Sequence, residues 1–167
     1  ETDIPYLLDE PQRYSSDSAE VRQDIKRRLL DANPYIVYEI DGVLLSHAGF
    51  INEPTPELRH RWSELPEATK HYLAHATDGP LWVRPDVLEL CGNVSQPQVV
   101  GHSPVKQATV FKTPNSSVIV TDTWSTYRDG RPIGDCDMYL LTNGQLRSIK
   151  HGLIPWNQKE DVNVIER

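Results

Sequence analysis

Tyr35-Ile36-Val37-Tyr38-Glu39-Ile40-Asp41-Gly42-Val43-Leu44-Leu45-Ser46-His47 is the stretch that decides the fold of this chain. Two β-rich runs flank an Asp-Gly pair, which predicts a hairpin: a two-residue turn that matches strand twist needs positive φ at both central positions. The second run is apolar almost without a break, as in a strand covered on both faces. Its end delivers His47 into Ala48-Gly49, small neighbours that leave room beside an imidazole. Further out, Val99-Val100-Gly101-His102 is another apolar run that ends on a histidine, and Val118-Ile119-Val120-Thr121-Asp122 reads as a further strand. Residues 138–141 and 146–149 flank Asn143-Gly144 and predict a second hairpin.

Upstream of this block the pattern is helical. Thr2 and Asp3 can cap a short helix that Pro11 ends. Ser16 to Ser18 then open a longer helix in which Val21, Ile25 and Leu29 form one apolar stripe, expected to face a core. Asn33-Pro34 stops it. Residues 55–78 read as two polar helices opened by Thr55-Pro56 and by Pro66, and Leu81-Trp82-Val83-Arg84 reads as a short extended piece. Helices early and strands late predict an α+β or layered α/β/β/α architecture.

Composition bounds the function. The chain has 167 residues, one domain or a large part of one, with 38% hydrophobic residues, four Trp and seven Tyr. That suffices for a core although the mean hydropathy is -0.53. The net charge of -7 and a pI near 5.3 argue against a phosphate-backbone binder, so no nucleic-acid partner is expected. The one basic run, Lys26-Arg27-Arg28, sits between Asp24 and Asp31. No apolar run approaches the roughly 20 residues of a membrane span. The start at Glu1 shows no basic-then-apolar leader, and a cytoplasmic protein with no membrane partner is expected. Cys91 and Cys136 lack metal-ligand spacing and read as two free thiols, one disulfide being the alternative.

His47 and His102 share one context, a buried strand followed by small residues. Strand ends place side chains rigidly, and neutral imidazole suits Zn, Fe and Mn. Two core histidines bonded to backbone are the bland alternative. Arg84 follows Trp82-Val83 and precedes Pro85; a planar guanidinium held there can grip a phosphate with two hydrogen bonds. Three other features are better read as structural. His71 and His75 have the spacing of a helical zinc pair, but Tyr72 stands where the general-base glutamate belongs. Asp135-Cys136-Asp137 reads as a turn entering a strand, and Ser46 has no nucleophile-elbow glycines around it.

Taken in order, Leu45-Ser46-His47-Ala48-Gly49, Leu81-Trp82-Val83-Arg84 and Val100-Gly101-His102-Ser103-Pro104, followed by a β-rich tail, resemble the C-terminal half of the phosphoprotein-phosphatase branch of calcineurin-like metallophosphoesterases. That family's strings are His-Gly-Gly, a Trp-containing segment with a phosphate-binding arginine, and Gly-His-Thr. The resemblance covers about residues 36–150. It implies that His47 and His102 ligate the second of two divalent metal ions (Mn, Fe or Zn) and that Arg84 holds the substrate phosphate. Pro104 departs from the Gly-His-x-His form, which favours the protein-phosphatase branch over broader phosphodiesterases. Tyr127 lies where that branch has a tyrosine loop over the active site; a loop tyrosine packed on the rim is the alternative.

The family's N-terminal strings, Asp-x-His, Gly-Asp-x-x-Asp-Arg-Gly and Gly-Asn-His-Glu, do not occur in residues 1–167. The expectation is therefore that the chain is the C-terminal part of one metallophosphoesterase domain, with Glu1 ending Gly-Asn-His-Glu and the other metal ligands contributed from upstream. The resemblance implies hydrolysis of phosphomonoesters, on a phosphoprotein or a small phosphate ester, by a metal-bound hydroxide, with the isolated chain inactive. Dinucleoside polyphosphate hydrolysis stays open because relatives with that activity share His-Ala-Gly. A non-catalytic binding module stays open as well.

Overall fold

The computed structural model describes residues 19–84 and 93–156. In chain order these form α1 (Ala19–Ala32), β1 (Val37–Ile40), β2 (Val43–Ser46), α2 (Glu67–His75), β3 (Gln98–Val100), β4 (Thr109–Lys112), β5 (Ser117–Val120), β6 (Tyr139–Thr142), β7 (Gln145–Ser148) and β8 (Gly152–Leu153). The helix expected near Thr2 and the thiol of Cys91 lie outside these residues, and Cys136 is a free cysteine.

Both hairpins form with the turn that their sequence dictates. Asp41 and Gly42 have φ of 53° and 74°, and Asn143 and Gly144 have 52° and 66°. Positive φ at both central residues carries the twist of the flanking strands through the turn. The first hairpin starts a five-stranded sheet of order β1-β2-β3-β5-β4. The inner strands β2, β3 and β5 run parallel, while β1 and β4 lie antiparallel on the two edges. β5 is buried at all four positions, as its unbroken Val-Ile-Val run requires. A separate sheet of order β6-β7-β8 holds the second hairpin.

Parallel neighbours need a long crossover, and the one between β2 and β3 folds back over the sheet. Phe50, Leu58, Trp62, Leu65, Leu73 and Leu81 of that crossover bury against Val37 and Leu44. A second cluster, built from Ala48, Val83, Val100, Val118 and Val120, lies beneath the strand ends.

The crossover departs from the expected two helices. Residues 55–65 form two single 3₁₀ turns, Pro56–Arg59 and Trp62–Glu64, and only Glu67–His75 is α-helical. The physical reason lies at His60 and Arg61, whose backbone is extended. There the chain pairs with residues 34 and 35: the Trp62 N–H donates to Pro34 O at 2.8 Å and the Arg61 guanidinium to Asn33 O at 2.9 Å. A continuous helix would spend the Trp62 N–H on residue 58 and forbid the first of these bonds. Leu81-Trp82 is likewise a turn rather than extended, because the Trp82 and Val83 N–H groups both converge on Gly79 O. The stripe of α1 also differs from expectation. No residue of α1 is buried, and Val21 is 46% exposed. Ion pairs from Asp24 to Arg27 and Arg28 and from Arg27 to Asp31 run along the helix at helical spacing.

Candidate metal and phosphate site

The three parallel strands end on one edge of the sheet, in register. Ser46 pairs with Val100, and Val100 with Val120. Each strand therefore delivers its next residues, His47, Gly101-His102 and Thr121-Asp122, to the same edge. Backbone bonds stitch these ends together: Gly101 N–H to His47 O at 2.8 Å and Thr121 N–H to Val100 O at 2.8 Å.

β3 and β5 stop in the same way. The Ser103 N–H bonds Gly101 O at 2.7 Å, and the Thr123 N–H bonds Thr121 O at 2.9 Å. Each is an i→i+2 turn, with His102 at the apex of one and Asp122 at the apex of the other. His102 carries φ of 64° there, the left-handed region that a side chain with a Cβ enters at a cost of about 1–3 kcal/mol.

The result is contact between residues 55 positions apart. His47 Nε2 lies 2.9 Å from His102 Nδ1, with the ring centroids 4.7 Å apart and the planes at 63°. The Trp82 ring meets His102 edge-on at 6.2 Å. Burial, then the like charge of His102, pushes the His47 pKa down to about 4, with Asp122 opposing and Arg84 adding to the fall. Burial foremost, then Arg84, also lowers His102, again against Asp122. Both rings are therefore neutral near pH 7, with nitrogen lone pairs to offer. The same charge effects place Arg84, itself exposed, within electrostatic reach of both rings.

A divalent ion fits this pair. Two nitrogens each about 2.1 Å from one ion and separated as these are would subtend about 90° at it, the angle between neighbouring ligands of a six-coordinate cation. The donors are two neutral imidazoles; the carboxylate of Asp122 on the third strand accepts from the Ser125 N–H at 3.2 Å and from the Ser125 hydroxyl. Further, His102 Nε2 is buried without a hydrogen-bond partner among the described residues, as is Ser46 Oγ. That nitrogen is not the one facing His47: with His102 Nδ1 turned to an ion it would carry the ring's proton, so it calls for a hydrogen-bond acceptor such as water.

The pair is held from behind. Gln98, 1% exposed, accepts from the Phe50 N–H at 2.7 Å and donates to Phe50 O at 2.9 Å. This amide clamp fixes the chain three residues beyond His47 to the neighbouring strand. The Ala48 N–H is held by Pro80 O at 2.6 Å, which ties the same segment to the one leading to Arg84. Two contributors were not singled out in the sequence. A signal existed for Asp122, since Val-Thr-Asp repeats the format of Leu-Ser-His and Val-Gly-His at a strand end. None existed for Gln98, which looks like any strand polar residue.

The remaining candidates sit differently. Tyr127 is half exposed in a small loop, its N–H bonded to Arg131 O and its ring under the Arg131 guanidinium at 5.5 Å; these contacts do not join it to the histidine pair. His71 and His75 are exposed on α2, with His75 Nδ1 2.8 Å from His71 O. Asp135, Asp137 and His151 bring one potential ligand atom each within 4.8 Å of one another. Protein groups satisfy this trio: Asp135 meets His151 at 2.6 Å, and Asp137 accepts from Ser148 Oγ and the Met138 and Lys150 N–H groups. Among the described residues no helix is long and apolar enough to cross a membrane. No family model, curated protein or solved structure matches the chain.

Proposed function

We propose that this chain supplies one half of a two-metal phosphoesterase centre that hydrolyses phosphomonoesters, with His47 and His102 holding one divalent ion and Arg84 gripping the substrate phosphate. The observation that carries this reading is the 2.9 Å meeting of two neutral imidazoles at the ends of adjacent parallel strands. A divalent pair, when bound, lowers the pKa of an attacking water and polarises the phosphoryl oxygens. The chain's own residues do the rest. Burial keeps both imidazoles neutral, so a cation need not compete with an imidazolium, and the proton shared between the facing nitrogens can shift to the outer nitrogen of its ring. The turn at His102 and the clamp by Gln98 fix their nitrogens before any ion arrives, so little ordering is lost on binding. Asp122 offsets part of the ion's charge from the third strand. The Arg84 fork pairs with equatorial phosphate oxygens and stabilises charge that grows there in the transition state.

The carboxylates that bridge two ions in such centres, and the acid that protonates the leaving group, are not matched within residues 1–167. The proposal assigns them to a segment carrying the Asp-x-His and Gly-Asp-x-x-Asp-Arg-Gly strings. The test uses a protein that joins that segment to this chain. Arg84→Ala is expected to lower kcat/KM for phosphate esters by at least ~10²-fold, the scale on which loss of a transition-state donor is felt. Metal content is expected to stay within about 20% of the parent, since Arg84 donates no lone pair. Unaltered kinetics would remove Arg84 from the site, and a His47→Asn variant that retained full metal content would remove the metal reading with it.

A further inference from the structure

The segment that leaves His47 and the segment that arrives at Arg84, tied by the Ala48–Pro80 bond, also wall a cavity of about 450 Å³. That volume is in the range of ligand sites. Phe50 and Leu58, 4% and 8% exposed, contribute buried apolar walls, and Tyr72 stands half exposed beside them. The polar groups around the cavity include three carboxylates, Glu53, Glu57 and Asp78, and no lysine, arginine or histidine lines it among the described residues. Basic residues of the same region are engaged elsewhere: Arg59 with Glu39 and Gln96, and Lys70 with Glu67.

We propose that this cavity takes the side chain of a lysine or arginine belonging to the peptide segment that bears the phosphorylated residue, so that the substrate is a basic phosphopeptide. A long alkyl stem ending in a cation matches apolar walls with an acidic surround. Two of the carboxylates are already oriented by neutral donors rather than neutralised by cations. Glu53 accepts from the N–H and hydroxyl of Ser95, which hold its carboxyl below the usual glutamate range, and Glu57 accepts from the Thr69 hydroxyl at 2.7 Å. The Tyr72 ring offers a face on which a guanidinium can stack. A bare divalent ion would gain nothing from Phe50 and Leu58, since it takes oxygen ligands alone.

Chain lengths set the spacing. Phe50 is three residues from His47, and Pro80 is four from Arg84. At up to ~3.6 Å per residue the cavity lies within about 14 Å of either group, which an extended peptide spans in about four residues. The basic residue is therefore expected within about four positions of the phosphorylated one. This substrate class rests on the phosphatase reading for its phosphate half only; the cavity's preference for a cation stands apart from catalysis.

The experiment measures binding of a capped, unphosphorylated arginine peptide to the 167-residue chain at low salt, by NMR shift perturbation, beside a twin peptide with citrulline in place of arginine. Citrulline keeps the shape and removes the charge. The arginine peptide is expected to bind at least ~10-fold tighter, because charge-assisted bonds are roughly twice as strong as neutral ones. Glu53→Gln, Glu57→Gln and Asp78→Asn together are expected to erase that preference, and Asp78→Asn alone, at an exposed position, to reduce it with the fold intact. Equal binding of the two peptides overturns the proposal. So does calcium displacing the arginine peptide from Phe50 and Tyr72 at equal concentration, which marks a cation site, or spermidine binding as tightly, which marks a small-amine site. If the preference holds while the joined protein hydrolyses no phosphoester, the phosphatase reading alone fails. If hydrolysis occurs without the preference, the cavity proposal alone fails.

Discussion

Acid should weaken this fold through one ring. His47 has a pKa of about 4 in the folded chain, against 6.5 for a free histidine. A base whose pKa is lowered on folding binds fewer protons folded than unfolded between those two values. Stability therefore rises with pH across that window, is full above pH ~6.5 and is lost as pH falls toward 4. A gap of about 2.5 in pKa corresponds to about 3.4 kcal/mol. Water that reaches the partly exposed ring screens the effect, and half of that, about 1.7 kcal/mol, is the working figure. His102 acts in the same direction, its pKa also being lowered, foremost by burial. Urea unfolding read by tryptophan fluorescence checks this at pH 7.5, 6.5, 5.5 and 4.5. With an m-value near 2 kcal/mol/M, the midpoint should fall by roughly 1 M from the top of the series to the bottom. His47→Gln should flatten most of that fall, and His47→Gln with His102→Gln nearly all of it. A variant that loses stability as steeply as the parent would place the titration elsewhere and refute the claim that this pair is held neutral by burial.

Gln98→Leu should destabilise the chain by ~3 kcal/mol, because it strands the buried N–H and C=O of Phe50, and Gln98→Glu should cost at least as much near pH 7, since a buried carboxylate would face Phe50 O; urea midpoints measure both. Gly134→Ala should cost ~1–3 kcal/mol in the same assay, since a Cβ there would stand 2.5 Å from the backbone oxygens of Thr123 and Val105, and neither can swing aside. The isolated 167-residue chain should show no turnover of p-nitrophenyl phosphate with added Mn²⁺; turnover comparable to that of the joined protein would place the whole site within residues 1–167.

The strand ends were legible because local chemistry and tertiary environment agree there. Asp41-Gly42 and Asn143-Gly144 demand the turns they make, and unbroken Val/Leu/Ile runs fit the central strands they occupy. The two histidines could be paired before any coordinate through their matching strand-end strings and the family resemblance, whereas the register, which sets His47 level with Gly101 and one residue short of His102, was not legible. The crossover was not legible for the converse reason. Residues 55–65 have helical polarity, yet pairing with residues 34 and 35 fixes them as broken turns, a long-range preference that no window of sequence displays. Gln98 was hidden in the same way, its role depending on where Phe50 returns to the sheet.

If the proposed pair of ions is bound, charge explains why this edge needs partners of opposite sign. Two divalent ions bring about four positive charges, and Arg84 adds a fifth. Against these, the sheet edge sets one nearby carboxylate, Asp122, and two neutral rings. Neutral donors fix an ion's position but do little to cancel its field, so carboxylates must come from another element for two such ions to sit side by side. The three parallel strands leave that role open in a specific way. His47, His102 and Asp122 all follow strands that end on one edge, where backbone bonds close the turns, so on the proposed reading the remaining ligands approach from beyond that edge. On the proposed two-metal reading, neutral donors on this layer and anionic ligands on another would make metal binding conditional on both layers, coupling assembly of the site to assembly of the fold.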